Sequence, residues 1–322
     1  MSIEIIGYGL AQAEKCVTNA ELSNSVDTND TWIQDRTGIK QRYFSVTKNT
    51  SDLASEAALM AIQDAKIDPK TIDLIVVATI TPDGMMPSVA SLVQAKCGLN
   101  NQNCLSYDIN AACTGFVVAM QNAHAMLESD FVKTALVIGA ETLSKILDFN
   151  DRTTSVLFGD GAGAIIMRTS LFKKMLHYTR SEGDVNGVLT SDGLALNPNM
   201  QLEQLSSHYL RMQGQAVFRF AVNAIEDVIV NLLERSHTKL EHIDWIVPHQ
   251  ANRRIIEYVA NKMNIDLNKF YLNLDQYGNT SSASIPIALS EMKTKGVLKE
   301  GMRVICVGFG AGLTWGGSYF ES

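Results

Sequence analysis

Apolar and polar positions follow two rhythms along this chain. Short unbroken apolar runs at Asp73–Thr79 (DLIVVAT), Ala135–Gly139 (ALVIG), Asp244–Val247 (DWIV) and Arg303–Val307 (RVICV) read as strands of sheets covered on both faces, because a strand with one wet face would alternate. Between them, apolar residues recur three and four apart. Asp52–Ala65 places Leu53, Ala57, Met60, Ala61 and Ala65 on one face, which predicts an amphipathic helix, with Ser51 as its cap. The same spacing predicts helices near Ser88–Lys96 and over Thr114–Leu127, Gly214–Ser236, Ala251–Met263 and Ser284–Lys295. Asp30 is placed to cap a short helix carrying Trp32, Ile33 and Arg36. Further strands are predicted at Ser2–Leu10, Leu105–Ile109, Phe270–Leu274 and Ser318–Phe320, and Gly159–Met167 runs into another. Residues 168–208 carry more Gly, Asn and Ser and keep neither rhythm, so they read as an irregular or inserted region.

The order of elements repeats. Helix, DLIVVAT, helix, CLSYDINAAC, helix, ALVIG, glycines and strand are followed by helix, DWIVPH, helix, FYLNLDQYGN, helix, RVICVG, glycines and strand. Ile75 aligns with Ile246 and Val137 with Val304, offsets of 171 (246−75) and 167 (304−137). Offsets so close to each other, near half the chain, indicate an internal duplication. The expected division is 1–168 and 169–322, with 169–213 as the irregular connection. Alternating strands and helices predict α/β halves with mostly parallel sheets, two copies of one unit sharing a layer of helices. Sites in such folds gather where strand ends meet. Cys113, His249 and Asn279 all lie just past predicted strand ends, and they come from different halves.

Composition narrows the function. The 322 residues are 46% hydrophobic and 19% charged, an ordinary globular mixture with a large core. A net charge of -7 argues against a nucleic-acid binder, though not against a local basic patch. The five cysteines, Cys16, Cys97, Cys104, Cys113 and Cys306, include no CxxC pair, so neither a disulfide framework nor a zinc site is indicated. A reducing cytoplasm fits best. The first residues, MSIEIIGYGL, are not a secretory leader, and no apolar run approaches the ~20 residues of a membrane span. The expectation is a soluble cytoplasmic protein. Two GxGxG runs, Gly159 to Gly163 and Gly308 to Gly312, lead into strand-like segments. A dinucleotide site needs its glycines to open a helix, so these read as turns and close backbone approaches.

Cys113 sits where a strand passes into the Thr114–Leu127 helix, between small residues Ala111, Ala112, Thr114 and Gly115. Unpaired N–H groups and the positive end of the helix dipole favour a thiolate there, so a lowered pKa and a nucleophilic role are expected. A buried structural cysteine is the alternative. His249, in PHQAN, lies at a strand-to-helix junction and reads by itself as a capping or core histidine, as do His124, His177, His208, His237 and His242. Asn279, in YGNTS, reads by itself as a turn residue.

Together, DINAACTGF around Cys113, VPHQANRRI around His249, YGNTSSASIP around Asn279, FGDGAGA at 158–164, GFGAGLTWG near the C-terminus, TWIQDRTGI at 31–39 and DRTT at 151–154 resemble the β-ketoacyl-(acyl-carrier-protein) synthase III family of thiolase-like condensing enzymes. The resemblance covers essentially the whole chain and implies an internally duplicated α-β-α-β-α fold. It implies that Cys113 takes an acyl group from acyl-CoA as a thioester. Malonyl-acyl-carrier-protein then loses carbon dioxide, and the enolate oxygen is held by His249 and Asn279, with no metal and no cofactor beyond the CoA thioester substrate. It further implies an oxyanion hole at the N–H groups of Cys113 and Ala311, where Gly310-Ala311-Gly312 departs from the three glycines frequent in the family. An alanine there loses much of φ > 0. Trp32 and Arg152 match the pair that sandwiches the CoA adenine, with Thr28, Arg36 and Asn252 along the same tunnel. Met86, Phe158 and Phe309 match acyl-pocket residues, Met86 in the loop that reaches the partner subunit of a homodimer. Arg219, Arg253, Arg254 and Lys262 form the expected basic patch for the acidic carrier protein. Other outputs remain open at this point: a relative of 3-hydroxy-3-methylglutaryl-CoA synthase, a condensing enzyme of specialised metabolism, a non-catalytic partner subunit or a Cys–His hydrolase.

Overall fold

A computed structural model describes residues 2–100, 103–129, 131–193 and 208–322. In chain order the strands are β1 (Ser2–Gln12), β2 (Lys15–Thr18), β3 (Gln41–Phe44), β4 (Leu74–Ala78), β5 (Leu105–Ile109), β6 (Thr134–Glu141) and β7 (Gly161–Ser170). They continue with β8 (Met175–Ser181), β9 (Leu189–Thr190), β10 (Arg211–Met212), β11 (Trp245–Pro248), β12 (Arg303–Gly310) and β13 (Thr314–Glu321). The helices are α1 (Asn19–Leu22), α2 (Asp30–Thr37), α3 (Thr50–Ala65), α4 (Val89–Lys96), α5 (Gly115–Leu127), α6 (Gly214–Ser236), α7 (Arg253–Met263), α8 (Leu274–Tyr277) and α9 (Ser284–Thr294).

Two main sheets carry the repeat. The first runs β1-β7-β6-β4-β5 and the second β8-β13-β12-β11. Position for position, β1 answers β8, β7 answers β13, β6 answers β12 and β4 answers β11. The sheets are mixed, not mostly parallel: β4 is parallel to β5 and β6, and β11 to β12, while β1–β7, β6–β7, β12–β13 and β13–β8 are antiparallel. The β12–β13 pair is antiparallel because the glycine-bearing end of β12 turns directly back into β13 without a crossover helix.

Apolar faces set five layers. One core cluster joins β1, β4, β6 and β7 to β11, β12 and β13 through Phe116 and Met120 of α5 and Ile285, Leu289 and Met292 of α9. The central helices are therefore apolar on most sides: α9 is buried from Ser284 to Met292, and α5 leaves only a narrow strip at Asn122 and Ala125 exposed. A second cluster seats α3 and α4 on the outer face of the first sheet, and a third seats α6 and α7 on the second. The sheets approach the central layer through bare backbone: a Cβ on Gly139 of β6 would lie 2.3 Å from Ser282 O.

Several local expectations change. The cap of α3 is Asn49, in a reciprocal capping box with Asp52, while Ser51 instead donates its hydroxyl to Asp83 at 2.6 Å. Asn29, not Asp30, caps α2 by accepting from Trp32 N at 2.9 Å. Phe270–Leu274 is not a strand. Phe270 makes one parallel bridge to Ile246, all that remains of a β5 counterpart, and Leu274 already begins α8. Within 168–208, β7 runs to Ser170, β8 is a full strand of the second sheet and β9 pairs with β10. The remainder of that expectation, 194–207, lies outside the described residues.

Candidate active site

Two turns of the same build face each other at the centre. Ala112–Thr114 leads into α5, and Ser281–Ala283 leads into α9. In the first, Asn110 Oδ1 accepts from Ala112 N at 3.3 Å; in the second, Asn279 Oδ1 accepts from Ser281 N at 2.8 Å. Ala112 has φ 46° and Ser281 φ 49°, left-handed conformations that cost a non-glycine residue about 1–3 kcal/mol each. Corresponding residues are 169 apart in every case (279−110, 281−112, 284−115). By that offset Asn279 answers Asn110, and Ser282 answers Cys113.

Cys113 is 6% exposed. The lowered pKa expected of it is not found. Burial pushes the thiol up to about 12, a negative charge on nearby Glu141 would add to the rise, and the Ser281 hydroxyl acts in the other direction. Desolvation of the charge outweighs the helix N-terminus in the resting protein. Gly310 admits the cysteine turn: a Cβ there would lie 2.8 Å from Cys113 N. Ala311 does not share the left-handed φ that its glycine neighbours raised as a concern. That conformation falls on Gly312, at φ 136°.

His249 follows β11 and is 1% exposed. Burial pulls its pKa down to about 3, so the ring is neutral. Its Nδ1 lies 2.7 Å from Ser284 Oγ, and the same oxygen accepts from Gln250 N at 3.3 Å. With the serine proton assigned to Nδ1, the ring proton resides on Nε2. The ring stands edge-on to Phe309, 5.2 Å between centroids. Asn279 is pinned through Oδ1, which leaves Nδ2 as its available donor.

Cys113, Phe158, His249, Asn252, Asn279 and Phe309 line one cavity of about 150 Å³. A larger cavity of about 810 Å³ opens on the other side of Cys113, past Phe158, Ala311, Ser281 and Met85. Cys113 and Phe158 belong to both. Phe309 lines the smaller only, and Met86 is exposed beyond Met85.

The residues matched to CoA binding form a separate cluster. Arg36 and Arg152 both place a guanidinium over Trp32, 4.8 and 5.4 Å from the ring centre. Thr28 Oγ1 is buried with no hydrogen-bond partner among the described residues. Asn252 caps α7 through Oδ1 and holds Arg36 O through Nδ2 at 3.0 Å. The basic patch is less uniform than its sequence. Arg253 pairs with Glu257 and Lys262 with Glu226, at 2.7 and 2.6 Å. Arg219 and Arg254 are exposed and make no ion pair among the described residues. Sequence reasoning missed Glu141, Ser281, Ser282 and Ser284. A strict alignment of the two turns would have exposed the serines, whereas a single acid at a strand end gives no signal.

The C-terminal model of 3-oxoacyl-[acyl-carrier-protein] synthase III matches residues 233–322, and a further model of that synthase matches 107–182. A β-ketoacyl-[acyl-carrier-protein] synthase III of Clostridium acetobutylicum is 48% identical over 98% of this chain and 97% of its own. One from Clostridium perfringens is 46% identical over 99% and 98%. Among solved structures, 3-oxoacyl-[acyl-carrier-protein] synthase III from Aquifex aeolicus superposes with a TM-score of 0.92 at 39% identity, covering 99% of this chain and 100% of the other. The enzyme of that class from Thermus thermophilus gives 0.91 at 37%, covering 99% and 98%. With near-complete coverage in both sequence and structure, the chain belongs to the β-ketoacyl-[acyl-carrier-protein] synthase III family.

Proposed function

We propose the following division of labour for an initiating condensing enzyme that joins an acyl-CoA primer to malonyl-acyl-carrier-protein. Cys113 is the nucleophile. It attacks the primer thioester, its proton leaves with the CoA thiol, and the acyl group remains on sulfur. The N-terminus of α5 favours the transient thiolate, and the departing CoA thiolate takes up the proton that Cys113 gives up. The malonyl thioester then occupies the smaller cavity and loses carbon dioxide. His249 Nε2–H and Asn279 Nδ2–H donate to the enolate oxygen, a task for aimed neutral donors. The enolate carbon attacks the acyl thioester. The tetrahedral oxyanion rests on the N–H groups of Cys113 and Ala311, and collapse returns the Cys113 sulfur. The substrates supply their own activation as thioesters, so the reading calls on no cofactor.

One observation carries this reading: three residues distant in the chain, Cys113, His249 and Asn279, line a single cavity of about 150 Å³. Trp32 and Arg152 hold the CoA adenine. Their 5.4 Å separation has to widen to about 7 Å, two ring-contact distances of ~3.5 Å, for a base to enter. Thr28, Arg36 and Asn252 line the approach, and the acyl chain enters the larger cavity past Phe158. The exposed Met85 and Met86 meet the partner in a homodimer, a state that light scattering checks. No helix among the described residues is long and apolar enough to cross a membrane, and a cytoplasmic location is part of the reading.

The test is intact-protein mass after exposure to acetyl-CoA and to longer and branched acyl-CoAs, followed by malonyl-carrier protein. A mass gain on Cys113, discharged into a β-keto product, supports the assignment. Acylation that ends only as free acid replaces it with a hydrolase, and no acylation from any CoA removes Cys113 from the role.

A further inference from the structure

Glu141 ends β6 with its side chain fully buried, directly behind the two facing turns. Three donors converge on Oε2: Thr79 Oγ1 at 3.2 Å, Ile80 N at 3.0 Å and Thr81 Oγ1 at 2.6 Å. Both threonine hydroxyls themselves accept amide protons, from Thr81 N and Thr142 N, so each directs its own proton to Oε2. The other oxygen, Oε1, meets Ser282 Oγ at 2.7 Å, and that hydroxyl also lies 2.8 Å from Ala78 O.

A proton count across these contacts is decisive. Ser282 has one hydroxyl proton and faces two acceptors if Glu141 is a carboxylate. Given to Oε1, it leaves two oxygens facing each other at Ala78 without a proton. Given to Ala78 O, it leaves Oε1 and Oγ in the same conflict. One additional proton, on Oε1, satisfies every contact.

We propose that Glu141 is a protonated positioning residue: Oε1–H donates to Ser282 Oγ, and Ser282 donates onward to Ala78 O. The carboxylic acid thereby fastens the Ser281–Ala283 turn of one half to β4 and β6 of the other. Ser281 and Asn279, which face Cys113 and the smaller cavity, ride on that turn. Burial raises the Glu141 pKa, in keeping with this state. The surrounding charges are few: the exposed Lys145 lies within the field of Glu141, Asp83 and Asp160, and Asp160 is itself buried and held by Ser144 and Ser45. A neutral Glu141 also spares Cys113 a negative neighbour when the thiolate forms.

The kinetic part of this inference rests on the roles proposed for Cys113 and Asn279; the spectroscopic part does not. The infrared difference between the wild-type protein and Glu141→Gln at neutral pH is expected to lose a carboxylic-acid carbonyl band. Loss of carboxylate bands, with no acid band, overturns the proposal. Glutamine copies the neutral acid, its oxygen accepting three donors and its N–H meeting Ser282, so acylation and condensation stay within about threefold and the pH profile of Cys113 alkylation does not move. A profile displaced to lower pH, or a condensation loss beyond about tenfold, contradicts a neutral Glu141. If that variant does not fold, Ser282→Ala serves. It removes the acceptor of the acid proton, so the acid band moves to higher frequency, and an unmoved band sinks the link. A wild-type protein that shows the acid band and no condensation would retire the catalytic reading alone.

Discussion

Cys113 is held as a thiol in the resting protein because burial outweighs the helix N-terminus. The sign follows from the charged form being the anion: a raised pKa means less thiolate at any given pH. Alkylation of Cys113 by iodoacetamide, mapped by peptide mass, is therefore expected to climb continuously from pH 7 to about 10 with no plateau, and a plateau near neutrality would contradict a buried thiol. The role proposed for Asn279 belongs to a different step. Its Nδ2 is free because Ser281 N holds Oδ1 at 2.8 Å, so Asn279→Ala removes one aimed donor. Condensation should fall by roughly 10²–10³ while acylation by acyl-CoA changes only a few fold. A comparable loss in both steps would instead assign Asn279 to building the turn. Ala311 lies outside the left-handed region that Gly312 occupies. Ala311→Gly should thus leave kcat nearly unchanged and lower stability by about 0.4–1 kcal/mol through the unfolded chain, measured by urea melts. At this scale Cys113, His249 and Asn279 stood out as residue types in three short motifs, and they line one cavity. The ionisation of Cys113 was not, because it depends on burial contributed by β12 and the second turn, far away in the chain.

Elements place these residues. The helix rhythm located α6 to the residue, Gly214–Ser236, because its apolar stripe is long and uninterrupted. Caps were less legible. Asn49 and Asn29 take positions that Ser51 and Asp30 fit equally well by type, and the choice is set by Asp83 and Asn19 reaching in from elsewhere. The apolar run at Phe270 had the composition of a strand, but α8 begins at Leu274 and curtails it to a single bridge. Arg254 is held at the start of α7 by the Asn252 cap, beside the Trp32–Arg36 cluster. Arg253 and Lys262 already have acidic partners, so Arg254 and Arg219 are the cations of the expected patch that make no ion pair among the described residues. Reversal by Arg254→Glu should raise KM for malonyl-carrier protein severalfold, with a steep salt dependence, and spare acylation by acyl-CoA. Equal effects on both steps would dismiss the patch. The substitution leaves the Asn252 cap intact, because Arg254 contributes its backbone N–H to it.

The whole molecule carries a pH liability in two desolvated histidines, the buried His249 and the half-buried His177. His249 and His177 are both held neutral, with pKa values near 3 against an ordinary 6.5. His177 sits between His124 Nδ1 and Ser318 Oγ at 2.9 and 2.8 Å, bridging α5 to the second sheet. A depressed histidine pKa means the unfolded chain binds the proton more readily. The stability it contributes is complete above pH 6.5 and is lost as pH falls toward 3. By pH 5 the loss is about 2 kcal/mol per histidine, and His177→Phe should flatten the fall of urea-melt stability between pH 7 and 5 relative to the wild-type protein. An unchanged slope would mean that His177 takes up no proton on unfolding in that range. The duplication was legible in the order of strands and helices, since two similar series recur half a chain apart. The mixed strand directions were not, because parallel and antiparallel edges share one apolar composition and differ only in how β12 turns back into β13. The offset of 169 between the two turns has one more consequence. In a pair of identical subunits any change at the cysteine position would appear twice, presenting two nucleophiles or none to a substrate that has a single carbonyl to attack. Joined in one polypeptide, the two positions are inherited separately, so one has sulfur as Cys113 and the other oxygen as Ser282. Covalent fusion of the halves is what allows an asymmetric reaction to be run on a nearly symmetric scaffold.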